Sequence, residues 1–567
     1  MLTIRSVTFR AISCLLSGAF VVAAGATATA AVAATQAAER GARADASEKN
    51  DPQARAVRQL RFGTPDRPFA ADSPWNARPI GVTLGTDEIP KAKNYPTLED
   101  GKWSTGVFVA SPDDKPVTVL PLPGRKGIWD PDAEAMRDQI TIPRWPAGVE
   151  PASAADGHGD IVDPVDRVIH SFNVLRFIDG QWRADQYAWT KLDGRGWGEP
   201  GHYFQGARAA AVPTMGGLVR AKEIDDNDEV FRHALAMSLT HTGLSPDPAY
   251  IYPATSADTG AKSNTGKVPQ GALMMLPPDF DTERIKDALL RKVARTLKVY
   301  GAYVVDRNVE TPYVIYVEMG ANKSLMKRGW HPEFAYELDR VRAGLRQVMS
   351  VDRWVDGNGK PMSMEAPQNR FSLRGPWKRS GGGSDAAMKS MANAPSGTAA
   401  AAGGDRAGAG FDTRRQAVVF PAGEGVTVLV NDSGRSLQPV NWAKPEAGKR
   451  YKLTATATGG AKLQLQLLDA GRRTTLFDSG ELADGASKTF EWPEGQGAVR
   501  VTVRSGPGPG ESSVGGALVP VEAENAKDGS KDNASDKSDK SEKSDKSDKS
   551  DRTRAKTQDK ASPGSAR

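Results

Sequence analysis

From Gly106 onward the apolar residues of this chain come in short, β-branched runs closed by Pro or Gly. They read G-V-F-V-A, P-V-T-V-L-P-L-P, Q-I-T-I-P, D-I-V-D and R-V-I-H-S-F-N-V-L-R-F-I-D-G-Q-W. Runs of that length and punctuation are strands joined by turns, and Asp179-Gly180 is a turn signal between two of them. Two stretches break the pattern with helical character, Glu223 to Leu235 and Asp281 to Tyr300. In the second, Ile285, Leu289, Val293 and Leu297 recur every fourth residue, as one buried helix face requires. Thr282 followed by Ile285 lacks the Glu of a capping box, which leaves its start open. Gly301 ends it, and A-Y-V-V-D and Y-V-I-Y-V-E follow as strands. Strands outnumber helices and do not alternate with them. The expected main domain, residues 63–375, is therefore a mostly β, antiparallel, jelly-roll-like sandwich with a few packed helices.

The ends contribute little to a core. Residues 1–33 carry Arg5 and Arg10, an apolar run from Ala11 to Ala24 and several A-x-A sites. That is the pattern of a secretory signal peptide, and the run falls short of the roughly 20 apolar residues of a membrane span. The expected location is secreted or periplasmic. The only cysteine, Cys14, lies within that segment, so the mature chain has no disulfide and no thiolate ligand. Residues 34–62 read as a flexible lead-in, with Trp75 and Ile80 as anchors for the arm that follows. Residues 376–410 form a Gly/Ala-rich linker, and seven strand-like runs between 411 and 521 indicate a second, small β-sandwich. Trp442 and Trp492 are its candidate accessory sugar-binding residues. Residues 522–567 repeat S-D-K and bury nothing.

The segment from Asp156 to Leu235 holds His158, His170, His202 and His233, four of the six histidines, among acids and aromatic residues. A polysaccharide lyase needs a proton acceptor, a proton donor and a cation to neutralise a uronate carboxylate. His158, Tyr187, His233 and Arg220 are the catalytic candidates, and Trp189, Trp197, Tyr203 and Arg208 the substrate-binding ones. His158, between Gly157 and Gly159, leads because glycine lets a loop approach a ligand. The net charge of +6 agrees loosely with an anionic polysaccharide, while no nucleic-acid-binding motif is present. One alternative is a hydrolase using two carboxylates drawn from Asp163, Asp193, Glu199 and Glu223. Another is a carbohydrate-binding or envelope scaffold protein without a proton-transfer pair. Asp156, Asp160 and Asp163, crowded around His158, are weak candidates for a metal such as Ca²⁺, though the spacing matches no known calcium loop.

Several motifs carry a resemblance. They are D-S-P-W-N (Asp72 to Asn76), D-x-H with I-V-D (Asp156, His158, Ile161 to Asp163), G-L-V-R-x-x-E-I (Gly217 to Ile224) with R-H-A-L (Arg232 to Leu235), and Y-G-A-Y-V-V-D (Tyr300 to Asp306). Over residues 63–356 the chain resembles a group of exported microbial proteins, and more loosely the β-sandwich or jelly-roll proteins that act on polysaccharides. The resemblance implies a sheet-built fold and carries over no catalytic residue.

Overall fold

The computed structural model describes residues 61–132, 135–321, 332–373, 377–380, 417–423, 425–438 and 440–521. The signal-peptide segment, nearly all of the lead-in, most of the linker and the S-D-K tail lie outside the described residues.

The chain is mostly β. At its centre an eight-stranded mixed sheet runs in the order Arg78–Leu84, Arg346–Val355, Leu273–Met275, Ala302–Asn308, Leu235–Thr240, Tyr313–Tyr316, Thr97–Glu99, and Pro361–Met362 pairs beside Arg346–Val355. Alternation along these strands sends side chains to two different cores. Leu235, Met237, Leu239, Ala302, Val304 and Ile315 face a helical layer that includes Leu289, Leu290, Val293 and Leu297. Ala234, Ala236, Tyr303, Val305, Val314 and Tyr316 face the other way, against Val162 and Ile169. Those two belong to a six-stranded sheet that includes Gly106–Val109, Gly159–Asp163, Val168–Asn173 and Gln186–Lys191. The layers are thus helix, sheet and sheet. Trp75 pins the N-terminal arm between them, stacked 4.7 Å from Trp197 and edge-on to Tyr303.

The centre of the sheet contains one irregularity that matters below. Leu235–Thr240 runs parallel to Ala302–Asn308 with Met237 opposite Val304, but the next pair is Ser238 opposite Asp306. Val305 is the extra residue. A bulge of this kind re-aims the side chains that follow it.

Helix α1 spans Ala288–Val299 and starts later than the spacing suggested. Its N-cap is Asp287, whose side chain accepts from the Leu290 N–H at 2.9 Å, and Thr282 lies outside it. A second helix, α2 (Pro332–Gly344), was not anticipated. The expected helix from Glu223 to Leu235 does not form. A single 3-10 turn covers Ala221–Glu223, then Asp226 takes the Asp228 N–H and Asn227 adopts φ 64°. A run of Asp and Asn offers the backbone local partners that compete with a helix.

The second sandwich packs a five-stranded sheet on a four-stranded one, and it begins earlier than residue 411. Phe371, Leu373 and Trp377 sit in its core, and Lys378–Arg379 pairs with Val428–Asn431. Residues assigned from sequence to the first domain and the linker thus belong to the second. Trp492 is 3 % exposed inside this core. Trp442 is committed to the joint between sandwiches: its indole N–H donates to the Ala254 carbonyl at 2.7 Å, while the Asn441 N–H donates to the Tyr250 hydroxyl at 3.3 Å. Trp492 is closed to a sugar, and Trp442 is half-buried with its indole N–H committed to this joint.

Candidate functional site

The loop from Gln205 to Leu218 lies against both sheets. Gly206 allows it to double back, since a Cβ there would lie 1.9 Å from the Pro213 nitrogen. The Ala211 N–H closes a turn on the Arg208 carbonyl, and Ala210 N–H reaches Val305 O. Arg208 is thereby turned inward with its side chain 1 % exposed. From Nη1 it donates to Asp306 Oδ2 at 2.7 Å, while the Ala209 N–H donates to Asp306 Oδ1 at 3.0 Å. The Tyr316 ring covers the guanidinium at 3.7 Å. Asp306 is aimed here by the bulge at Val305, and Tyr316 by its place on the same sheet face.

The six-stranded sheet supplies the opposite wall. Asp160 accepts from the Ser171 hydroxyl at 2.5 Å and the Met215 N–H at 2.7 Å, which ties the Arg208 loop to Gly159–Asp163. His158 precedes that strand and is 4 % exposed. Burial, reinforced by Arg208 and Arg176, lowers its basicity well below the usual imidazole range, so it is neutral. Its Nδ1 and the Nε of Arg208 have no hydrogen-bond partner in the protein.

Besides Asp160 and Asp306, two further carboxylates flank this centre. Asp156 is exposed at the rim, and partial burial together with Asp306 raises its pKa against the pull of Arg208 and Arg176. Asp258 lies near Asp306. Its Oδ2 accepts from Gln270 Nε2 at 2.6 Å and from the Arg307 N–H at 2.9 Å. Burial, then the charge of Asp306, pushes it up to about 6. Ser238 and Asn308, joined at 3.0 Å, add hydroxyl and amide groups on the same strands.

The sequence candidates divide around this centre. His158, Arg208, Asp156 and Asp160 are brought together. The expected meeting of His158 with Tyr187 or His233 does not occur. Tyr187 is 1 % exposed and pairs with His170 Nδ1 at 2.9 Å. His233 faces Glu223 at 3.3 Å, beside Arg220, which is ion-paired with Glu318 at 3.1 Å. A cavity of ≈ 20 Å³ there has room for about one water. Trp189, Trp197 and Tyr203 are buried at 8 %, 1 % and 3 % exposure, so stacking on a sugar is closed to them. Their aromatic surface stabilises the layers instead. Gly157, expected to admit a ligand, admits Arg176: a Cβ would lie 1.8 Å from its Nη1.

Three of the four carboxylates of the hydrolase alternative are paired elsewhere. Asp163 pairs with Arg144 at 2.9 Å, Asp193 with Arg167 at 2.6 Å, and Glu223 faces His233 at 3.3 Å. The crowding of Asp156, Asp160 and Asp163 in sequence does not persist in space, because Asp160 and Asp163 turn to different partners. Among the described residues no group of three His, Cys, Asp or Glu is arranged to hold a metal ion, and no helix is long and apolar enough to cross a membrane.

Sequence reasoning missed Asp258, Asp306 and Tyr316 as site residues. A signal existed for Asp306, which closes the Y-G-A-Y-V-V-D motif just as Asp156 and His158 open the D-x-H motif.

No protein-family model and no curated protein sequence matches the chain. Among solved structures it is similar to a glycosylation-associated protein (Gap123) complex from Streptococcus agalactiae at 15% identity, covering 19% of this chain and 37% of that one, TM-score 0.15. It is similar to the tailspike protein 4 of bacteriophage CBA120 at 11%, covering 18% and 15%, TM-score 0.14. TmCBM61, solved with β-1,4-galactotriose, matches at 18%, covering 18% and 70%, TM-score 0.13. The stretch shared with the first two spans well under half of their length.

Proposed function

We propose that this chain is an exported protein that cleaves glycosidic bonds in a polysaccharide by hydrolysis, with Asp258 as proton donor and Asp306 as its ionic partner. One observation carries the reading: two neighbouring carboxylates sit in environments that set them apart. Asp306 is bound by Arg208 and the Ala209 N–H, and Asp258 is pushed up to about 6. A pair of that kind supplies an acid that keeps its proton up to about pH 6 and a second carboxylate to face the developing positive charge of the sugar ring. Asp156, exposed at the rim, is the candidate to activate water.

The same geometry turns the reading away from a lyase. The neutralising cation that a uronate would need is absorbed, since Arg208 is already paired with Asp306. Asp156, the carboxylate at the rim, also disfavours an acidic sugar, so the sugar at the cleaved bond is taken as uncharged. Export follows from the signal-peptide pattern of residues 1–33.

The test is a panel of neutral polysaccharides and uronate polymers with the full-length secreted protein. New reducing ends from a neutral polymer, absent in D258N and D306N variants that keep the wild-type circular dichroism spectrum, support the reading. Reducing ends that persist in both variants contradict it.

A further inference from the structure

We infer that Trp103 is a sugar-stacking subsite at the mouth of the carboxylate centre, taking the apolar face of an uncharged pyranose or furanose ring next to the cleaved bond. The inference rests on the glycoside-cleaving reading and adds where the polymer lies.

Trp103 is 46 % exposed, the one exposed indole among the described residues. The residues that follow it are buried and hydrogen-bonded, while Lys102 before it is exposed. The Trp103 N–H donates to Glu99 Oε1 at 3.2 Å, and the Ser104 hydroxyl donates to Val317 O at 2.5 Å. Thr105 Oγ1 meets Thr214 Oγ1 at 2.8 Å, and the Met319 N–H donates to Thr105 O. Ser104 and Thr105 are both fully buried. A large aromatic ring held outward from a hydrogen-bonded backbone offers a flat apolar face on which a sugar ring can stack.

Register places the ring beside the site. Gly106 pairs with Gly159 in parallel, so the chain leading into Gly106 and the chain leading into Gly159 emerge side by side. Trp103 lies three residues before the first and Asp156 three before the second. The Ala154 N–H donates to Lys102 O at 3.1 Å, which holds the two approaches together. Trp103 and Asp156 are therefore rim neighbours, with Asp306 and Arg208 deeper. The ammonium of Lys102 stands 5.8 Å from the indole centroid, a loose contact that leaves ring surface free. Sugar C–H groups pack on such a ring while their hydroxyls reach the carboxylates, and an acidic rim at Asp156 selects an uncharged sugar.

The experiment uses the full-length protein with β-1,4-galactan, β-1,3-glucan, xylan and arabinan. Retardation in polysaccharide-containing native gels and initial cleavage rates are compared for wild type, W103A, W103F and F177A, the last an exposed ring on another strand. The expected result is a rise of about tenfold in KM or in the dissociation constant for W103A, the size of one aromatic contact. kcat stays within about twofold, W103F recovers most of the loss, and F177A matches wild type. Unchanged KM and retardation in W103A overturn the subsite while wild-type cleavage keeps the hydrolytic reading standing. Retardation without cleavage in wild type overturns hydrolysis and leaves W103A to decide the subsite. A wild type that is neither retarded by nor active on any of the four overturns both.

Discussion

Arg208 and Asp306 form an ion pair at 2.7 Å in which the guanidinium side is 1 % exposed and the carboxylate side 15 %. The pair joins the loop that follows Gln205 to the strand that ends at Asn308, so it links two layers of the fold as well as organising the site. Removing one partner leaves the other buried and uncompensated, which costs about 3–5 kcal/mol. Asp306→Asn and Arg208→Met each lower stability by that order in urea unfolding. The double variant R208M/D306N recovers part of the loss, since neither charge is then stranded. Equal destabilisation in single and double variants would show that the pair does not act as a unit.

Asp258 gives the site a pH signature. Its folded pKa of about 6 stands above the ordinary carboxylate value, so its contribution to stability is fully present below about pH 4 and is lost as pH rises through about 6. A shift of about two units corresponds to about 3 kcal/mol. Between pH 4 and pH 7 the wild type should lose about that much stability relative to D258N, measured by urea unfolding at both values. Activity should decline above about pH 6 as the acid deprotonates.

Glu223 behaves in the opposite sense. Burial alone would raise it, but His233 and Arg220 outweigh burial and hold it at about 2. Its contribution is present above the ordinary carboxylate pKa and is lost as pH falls through about 2. Glu223→Gln should therefore be less stable than wild type by about 3 kcal/mol at pH 7, with the difference shrinking toward pH 2. A pH-independent difference would assign the loss to packing rather than charge.

The joint between the sandwiches hangs on Trp442. Trp442→Ala removes the hydrogen bond to Ala254 O and the edge-on contact with Tyr252 at 5.2 Å. That weakens the joint by about 2–3 kcal/mol. Differential scanning calorimetry should resolve two transitions in the variant where the wild type shows one, or a wider gap between them.

The strands were legible because alternation and Pro/Gly punctuation are local signals, and α1 because its apolar spacing is. The site was only half legible. Asp156, His158, Arg208 and Asp160 stand out as chemistry-bearing residues in one stretch, and they do converge. Asp258 and Asp306 lie about 50 and 100 residues beyond Arg208. Asp306 reaches the same centre through a parallel strand pairing and the bulge at Val305, and Asp258 through its bond to the Arg307 N–H, none of which leaves a local trace. Density of aromatic and imidazole groups misled in the other direction. Tyr187, Trp189, Trp197 and Tyr203 cluster in sequence because they fill the cores between layers, while the exposed ring, Trp103, stands apart from them.

The proposed function has Asp258 and Asp306 cleave a neutral glycosidic bond by hydrolysis. The most direct measurement follows new reducing ends and ultraviolet absorbance of unsaturated products together, in wild type and D258N. Reducing ends without unsaturation are expected in wild type, with a loss of at least about 10²-fold in D258N. Unsaturated products, or a D258N variant as active as wild type, would contradict it.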